Sequence, residues 1–111
     1  MSVAIEETTK TKLKKPPKFN IWALDNDITS FNEVVWILTR AFNMSESVAA
    51  ELTTKIDREG RAKVNPKPMS KGLAEAQLDK VNNLKRQLAQ ILGHIGRDKA
   101  VMALKFIIKE D

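Results

Sequence analysis

Residues 19–24, Phe-Asn-Ile-Trp-Ala-Leu, alternate well enough for a strand that has Phe19, Ile21 and Ala23 on one face. The alternation ends at residues 25–27, Asp-Asn-Asp, whose side chains favour turn geometry. Beyond this acidic turn the apolar residues recur at helical intervals, and Ser30 and Glu33 have the spacing of a capping box. The pattern therefore predicts a strand, a turn and a first helix over about residues 30–43.

The rest of the chain continues this exchange of helix and strand. Ser45 opens a second predicted helix, which ends at Gly60 in the left-handed cap position. We expect a short strand over residues 61–64, a long helix over about residues 70–92 and a final strand over residues 101–109. The predicted inward stripe of the long helix is Leu73, Ala76, Val81, Leu84, Leu88 and Ile91. The order β-α-α-β-α-β predicts an α+β fold, a small three-stranded sheet with three helices on one face.

Composition places the chain among soluble single-domain proteins. It has 111 residues, of which 42% are hydrophobic and 30% charged. The sequence has no apolar run long enough to cross a bilayer, and no secretory signal pattern at its start. The absence of cysteine fits a reducing compartment, and we expect a cytoplasmic protein.

The positive charge is concentrated near the N-terminus. Residues 1–18 hold five lysines and two glutamates, a net charge of +3 out of +5 for the whole chain. We therefore expect a flexible basic extension over residues 1–17 and a folded domain over residues 18–111. Such an extension could contact nucleic acid, and that binding would weaken steeply with salt. The nearly balanced charge of the domain does not predict a surface that reads a duplex, so nucleic acid is not the favoured partner.

The sequence lacks the patterns of an enzyme. It contains no phosphate-binding loop, metal-ligand spacing or nucleophile elbow. His94, the single histidine, lies in a predicted loop and is interpreted as a surface residue. The sequence predicts a protein without catalytic residues, metal or cofactor.

The acidic turn is the best candidate for a binding site. Asp25 and Asp27 lie between a strand and a helix, and Asp57 lies near the end of the second helix. If the two helices pack side by side, the three carboxylates converge and suit a cation such as a protonated amine. Alternatively, Asp25 and Asp27 form the turn or cap the helix, and Asp57 is a solvated surface residue. The residues alone leave both interpretations open.

A family resemblance bears on this choice. The segment from Pro17 to Thr29 resembles the start of the core of the ClpS adaptors of bacterial Clp proteases, where a proline-led strand enters an Asn-Asp-Asp turn followed by a threonine. Where the family's second helix ends in His-x-x-Gly-x-Ala, residues 57–62 read Asp-Arg-Glu-Gly-Arg-Ala. Further similarities are Phe31, Val34, Val35, Leu38 and Phe42, then Ala74, Glu75, Val81 and Asn82, and the Glu-ending tail from Leu104.

The resemblance, over roughly residues 17–84 and the last eight, implies both a fold and a function. The fold is that of the C-terminal domain of ribosomal protein L7/L12. The function is an adaptor that captures proteins by a bulky N-terminal residue, an N-degron, and delivers them to a Clp AAA+ unfoldase of the ClpA or ClpC type. The resemblance assigns the α-amino group to Asp25, Asn26, Asp27 and Asp57, and the first side chain to an apolar pocket of Ala23, Thr29, Phe31, Val34 and Thr53.

Two departures from the family pattern leave an alternative open. The turn reads Asp25-Asn26-Asp27, with its first two residue types exchanged, and Asp57 stands where the family has histidine. The alternative is an interaction or decoy protein on the same scaffold, which binds the Clp unfoldase or another partner without recognising N-termini. Binding of peptides with a free N-terminus would distinguish the two.

Overall fold

The computed structural model describes residues 16–111, which form a three-stranded sheet and four helices. The predicted basic extension lies outside the described residues, apart from Pro16 and Pro17. The elements are β1 (Phe19–Leu24), α1 (Phe31–Ala41), α2 (Glu46–Glu59), β2 (Arg61–Lys63), α3 (Lys71–Leu92), a 3-10 turn (Gly93–Ile95), α4 (Asp98–Met102) and β3 (Lys105–Glu110).

The sheet is antiparallel, with the strand order β2-β1-β3. Because β1 is central, both of its edges are hydrogen-bonded, and Leu24 is paired with Arg61 on one side and Lys105 on the other. Ile21 and Ala23 point into the core and are fully buried, whereas Trp22 between them is half-buried. The acidic turn therefore begins where the central strand leaves the sheet.

The helix starts at Ser30 and Ser45 and the helix end at Gly60 are those that the sequence predicts. Ser30 caps α1, and its backbone N–H donates in return to a carboxylate oxygen of Glu33 (2.8 Å), which completes the capping box. Ser45 caps α2 through the N–H of Val48. Gly60 ends α2 with φ at 86°, a left-handed conformation that favours glycine.

The core lies between the sheet and α1, α2 and α3. Its largest fully buried side chains are Ile21, Ile37, Leu38, Leu104, Val81 and Val101. The predicted stripe of α3 is partly wrong, because Leu73 and Ile91 are 64% and 57% exposed and Ala76 is also exposed. Val81 and Leu88 are buried as predicted, but the first core position is taken by the smaller Ala74 and not by Leu73.

The final strand begins later than predicted. Residues 98–102 form α4, and the hydrogen bond from the N–H of Val101 to the carbonyl of Arg97 (3.0 Å) closes its turn. Met102, which lies within the predicted strand, belongs to α4 and is 43% exposed. Val101 and Leu104, three residues apart and both buried, have a helical spacing that the alternation of apolar residues concealed. The confirmed α+β fold thus has one short helix more than expected.

A buried asparagine joins β1 to the chain after β2. The Oδ1 atom of Asn65 accepts from the N–H of Ile21 (2.8 Å), and its Nδ2 donates to Asn20 Oδ1 (2.9 Å) and to the carbonyl of Lys67 (2.7 Å). Asn65 is only 4% exposed, so water cannot easily replace these bonds. The side chain continues the sheet pairing where Pro66 follows and cannot donate.

We predict that Asn65→Ala lowers the free energy of unfolding by about 2–4 kcal/mol, because it leaves buried polar groups unpaired. Urea denaturation of the purified variant measures this. Asn83→Ala, on the exposed face of α3, is the matched control and should change stability by no more than about 0.5 kcal/mol. Equal effects of the two substitutions would contradict the structural role of Asn65.

Candidate functional site

A cavity of 380 Å³ lies between the acidic turn, the start of α1 and the last turns of α2. It is lined by Asp25, Asn26, Asp27, Thr29, Phe31, Val34, Thr53, Ile56 and Asp57. Eight of the nine positions that the resemblance assigned to a site are in this lining. Ala23 is not among them: it is fully buried in β1, paired with Ala62 and Phe106. Ile56 was not predicted, although its place on the buried stripe of α2, three residues after Thr53, is the signal that could have found it.

The turn is attached to the end of α2 by its backbone. The N–H of Asp25 donates to the carbonyl of Gly60 (2.9 Å), which brings the turn beside the last residues of the helix, including Asp57. Asp25, Asp27 and Asp57 are exposed side chains, so a ligand in the cavity can reach them. The three carboxylates therefore lie around one cavity, which is the arrangement that the sequence left open.

The side chain of Asn26 holds the loop by hydrogen bonds to the backbone that follows it. Its Oδ1 atom accepts from the N–H groups of Ile28 (2.9 Å) and Thr29 (2.8 Å). This is the turn chemistry expected of asparagine, and it occupies the oxygen that could otherwise accept from an amine. The amide N–H groups of Asn26 are the part of its side chain that remains for a ligand.

The lining presents acceptors of hydrogen bonds and negative charge. It contains three carboxylates and no lysine, arginine or histidine. The hydroxyl of Thr53 donates to the carbonyl of Ala49 (2.7 Å), which leaves its oxygen to accept. Among residues 16–111, no group of three or more His, Asp or Glu side chains is arranged to hold a metal ion. The three carboxylates of the lining suit a cation that donates hydrogen bonds, such as an ammonium group.

The apolar lining lies beside these acceptors. Val34 and Ile56 are buried at the cavity wall, and Phe31 is 47% exposed at the start of α1. A ligand with an ammonium group next to an apolar side chain would match both parts of the cavity. A larger cavity of 570 Å³, lined mainly by α2 and the residues before and after it, shares no residue with this one.

An ion pair lies at the base of α1, close to the cavity. Arg97 donates from Nε to Glu33 Oε2 (2.9 Å) and from Nη2 to Glu33 Oε1 (2.8 Å). These hydrogen bonds lower the pKa of Glu33, although its burial acts in the opposite direction. No local sequence pattern predicts this pair, because Glu33 and Arg97 are 64 residues apart in the chain.

Comparison with known proteins identifies the family. The sequence of residues 14–93 matches the family described as "ATP-dependent Clp protease adaptor protein ClpS". The chain belongs to the ClpS family. The match covers β1, α1, α2, β2 and α3, and thus every residue that lines the cavity. The resemblance drawn from the sequence is confirmed, and the chain is a member of a family of Clp protease adaptors rather than of a family of enzymes.

Individual relatives agree with this assignment. The ClpS adapter of Nautilia profundicola is 35% identical over 65% of this chain and 72% of its own length. That of Hydrogenovibrio crunogenus is 30% identical over 73% of this chain and 76% of its own length. The solved structure of Agrobacterium tumefaciens ClpS2 bound to L-phenylalaninamide aligns with a TM-score of 0.66 at 21% identity, over 87% of this chain and all of that one. The predicted ClpS-like fold is thereby confirmed.

No helix in the described part of the chain combines the length and the apolar character needed to cross a membrane.

We predict that the ion pair between Arg97 and Glu33 stabilises the fold at pH values where the Glu33 carboxyl is ionised, and not where it is protonated. The pKa of Glu33 is lowered in the folded state, so its contribution is present at neutral pH and is lost as the pH falls below about 4. Glu33→Gln should therefore be less stable than the parent protein at pH 7, and the difference should narrow at acidic pH. Denaturation curves at several pH values measure this, and a difference that does not change with pH would contradict it.

Proposed function

We propose that this ClpS family member binds the free N-terminus of a protein in the acidic-turn cavity. It then delivers that protein to a Clp AAA+ unfoldase of the ClpA or ClpC type in the cytoplasm, without chemistry of its own. The observation that carries the proposal is the lining of the cavity, where three carboxylates without a basic residue lie beside an apolar wall. The relative from Agrobacterium tumefaciens supports it, because its ligand L-phenylalaninamide has a free amino group next to an aromatic side chain.

Different lining residues bind the α-ammonium group and the first side chain of such a ligand. Asp25, Asp27 and Asp57 accept hydrogen bonds from the α-ammonium group, which carries three donors. Asn26 holds the loop through its oxygen, and its amide group donates to a carbonyl of the ligand. The resemblance assigned all four residues to the amine, whereas here only the three aspartates bind it and Asn26 binds the carbonyl.

The first side chain of the ligand lies against the remaining lining. Phe31, Val34 and Ile56 supply apolar surface, and Thr29 and Thr53 supply small side chains. A cavity of 380 Å³ has room for a leucine or phenylalanine side chain together with the ammonium group. This chain has Asp57 where the family has a histidine. A carboxylate attracts an ammonium group more strongly than an imidazole does.

We predict that peptides beginning with free Leu, Phe, Trp or Tyr bind this protein, and that acetylation of the same peptides abolishes binding. The reason is that acetylation removes the positive charge and two of the donors that the carboxylates need. Fluorescence anisotropy with a label at the peptide C-terminus measures the affinity. No binding at high micromolar concentration to a folded sample would rule out N-terminal recognition.

We predict that Asp25→Asn and Asp57→Asn each weaken that binding by about 10- to 100-fold, the loss expected from one charge-assisted hydrogen bond. Asp79→Asn, an exposed carboxylate of α3 outside the cavity lining, is the matched control and should leave the affinity unchanged. A similar loss in all three variants would indicate a general charge effect instead of a defined site.

The departures at residues 25–27 and 57 favour one alternative function. A decoy or interaction protein on this scaffold would bind the unfoldase and have no affinity for N-terminal peptides. Capture of a purified ClpA or ClpC unfoldase by the immobilised protein, combined with absent peptide binding, would establish that alternative.

A further inference from the structure

Arg97 connects the C-terminal part of the chain to the loop that carries the acidic turn. Besides its two bonds to Glu33, its Nη2 group donates to the carbonyl oxygen of Ile28 (2.9 Å). Glu33 in turn accepts from the backbone N–H of Ser30 (2.8 Å). The guanidinium group thus holds the loop directly, through Ile28, and indirectly, through the Glu33 carboxylate. These bonds matter because the side chain of Ile28 is 53% exposed and adds little packing.

A second bond from the same part of the chain reaches the cavity lining. Thr29 Oγ1 lies 2.6 Å from the carbonyl oxygen of Ala100, and this short contact assigns the hydroxyl hydrogen to that acceptor. The N–H of Thr29 is held by Asn26. Asn26 and Thr29 line the cavity, whereas Arg97 and Ala100 do not. Residues 97–100 therefore hold the wall of the site without forming part of it.

The backbone around Arg97 is itself fixed. Gly96 has φ at 76°, which turns the chain after the 3-10 segment, and the N–H of Arg97 donates to the carbonyl of Leu92 (3.2 Å). Ala100 and Val101, on the next turn, are buried in the core. The backbone that carries the guanidinium is thus held by a hydrogen-bonded turn before it and by core packing after it.

We propose that Arg97 is a positioning residue for the recognition loop, residues 26–30, and thereby sets the affinity of the cavity for a free N-terminus. This inference rests on the function proposed above. Arg97 and Ala100 lie beyond residue 93, where the family match ends, so this chain supports the site with a segment outside the matched region.

The geometry distinguishes this ion pair from an ordinary surface pair. The side chain of Glu33 is only 7% exposed, and that of Arg97 is 36% exposed. Two parallel N–H bonds to one carboxylate and a third to a backbone carbonyl use the planar fork of arginine, which a lysine ammonium cannot reproduce. The position should therefore require arginine and not merely a positive charge.

The test compares Arg97→Ala and Arg97→Lys with Arg86→Ala, which removes an exposed arginine of α3. Amide hydrogen exchange at Ile28, Thr29 and Ser30 is measured in the free protein, and affinity for a peptide beginning with free leucine is measured in parallel. We expect Arg97→Ala to accelerate exchange at these amides and to weaken binding by about tenfold, the effect of one weakened charge-assisted bond. Arg97→Lys should recover only part of either loss, and Arg86→Ala should change neither.

A stability control and a double variant separate positioning from general loosening. Val81→Ala destabilises the core without touching the loop and, well below its melting temperature, should leave affinity unchanged. Arg97→Ala combined with Glu33→Gln should weaken binding by less than the product of the two single losses, because the bonds between Arg97 and Glu33 are lost in both single variants.

The outcomes for the two proposals can be told apart. Unchanged loop exchange in Arg97→Ala, or full recovery by Arg97→Lys, would overturn the positioning role. If the parent protein binds no free N-terminus, the proposed function fails. In that case, loop exchange still decides whether Arg97 holds the loop.

Discussion

The backbone hydrogen bond between the N–H of Asp25 and the carbonyl of Gly60 is the constraint on which the site depends. It extends the pairing of β1 with β2 by one step past Leu24 and Arg61, so the acidic turn cannot swing away from the sheet. Because Gly60 also ends α2, the same bond brings the turn to the end of that helix, where Asp57 is. A single main-chain contact thereby gathers carboxylates from two separate elements around one cavity.

This arrangement concentrates like charge, and that concentration suits a cationic ligand. The lining holds three carboxylates and no basic residue, which matches the charge and the hydrogen-bond donors of an ammonium group. The loop must hold this charge in place when the site is empty. Asn26 does so from inside the loop, and Arg97 does so from the far end of the chain. Arg97 thus acts on the backbone and on Glu33, and its hydrogen bonds do not go to the lining carboxylates.

Local sequence patterns were enough to predict most of the fold. The alternation in β1, the capping box of Ser30 and Glu33 and the left-handed cap at Gly60 are short-range features, and each appears as expected. The short helix α4 was missed because a few residues with two plausible spacings do not decide between helix and strand. The stripe of α3 was misassigned at its ends because tertiary packing selected Ala74 over the larger Leu73.

The candidate site was predictable only with the help of the family resemblance. Residues alone left Asp25 and Asp27 open between turn formation and binding, and the structure shows that Asn26 does the turn-forming work. Ala23 matched the family position, but its side chain points into the core and is fully buried, so it does not line the cavity. The ion pair of Arg97 with Glu33 joins residues far apart in the chain, and only the folded structure brings them into contact.

The most direct test of ligand binding in the acidic-turn cavity is to locate bound L-phenylalaninamide by NMR titration of the isotopically labelled protein. We expect saturable shifts of backbone amides in residues 26–31 and around Asp57, the two sides of the cavity. Shifts confined to the larger cavity, around Leu52 and Val64, would contradict this expectation, as would the absence of any shift in a folded sample.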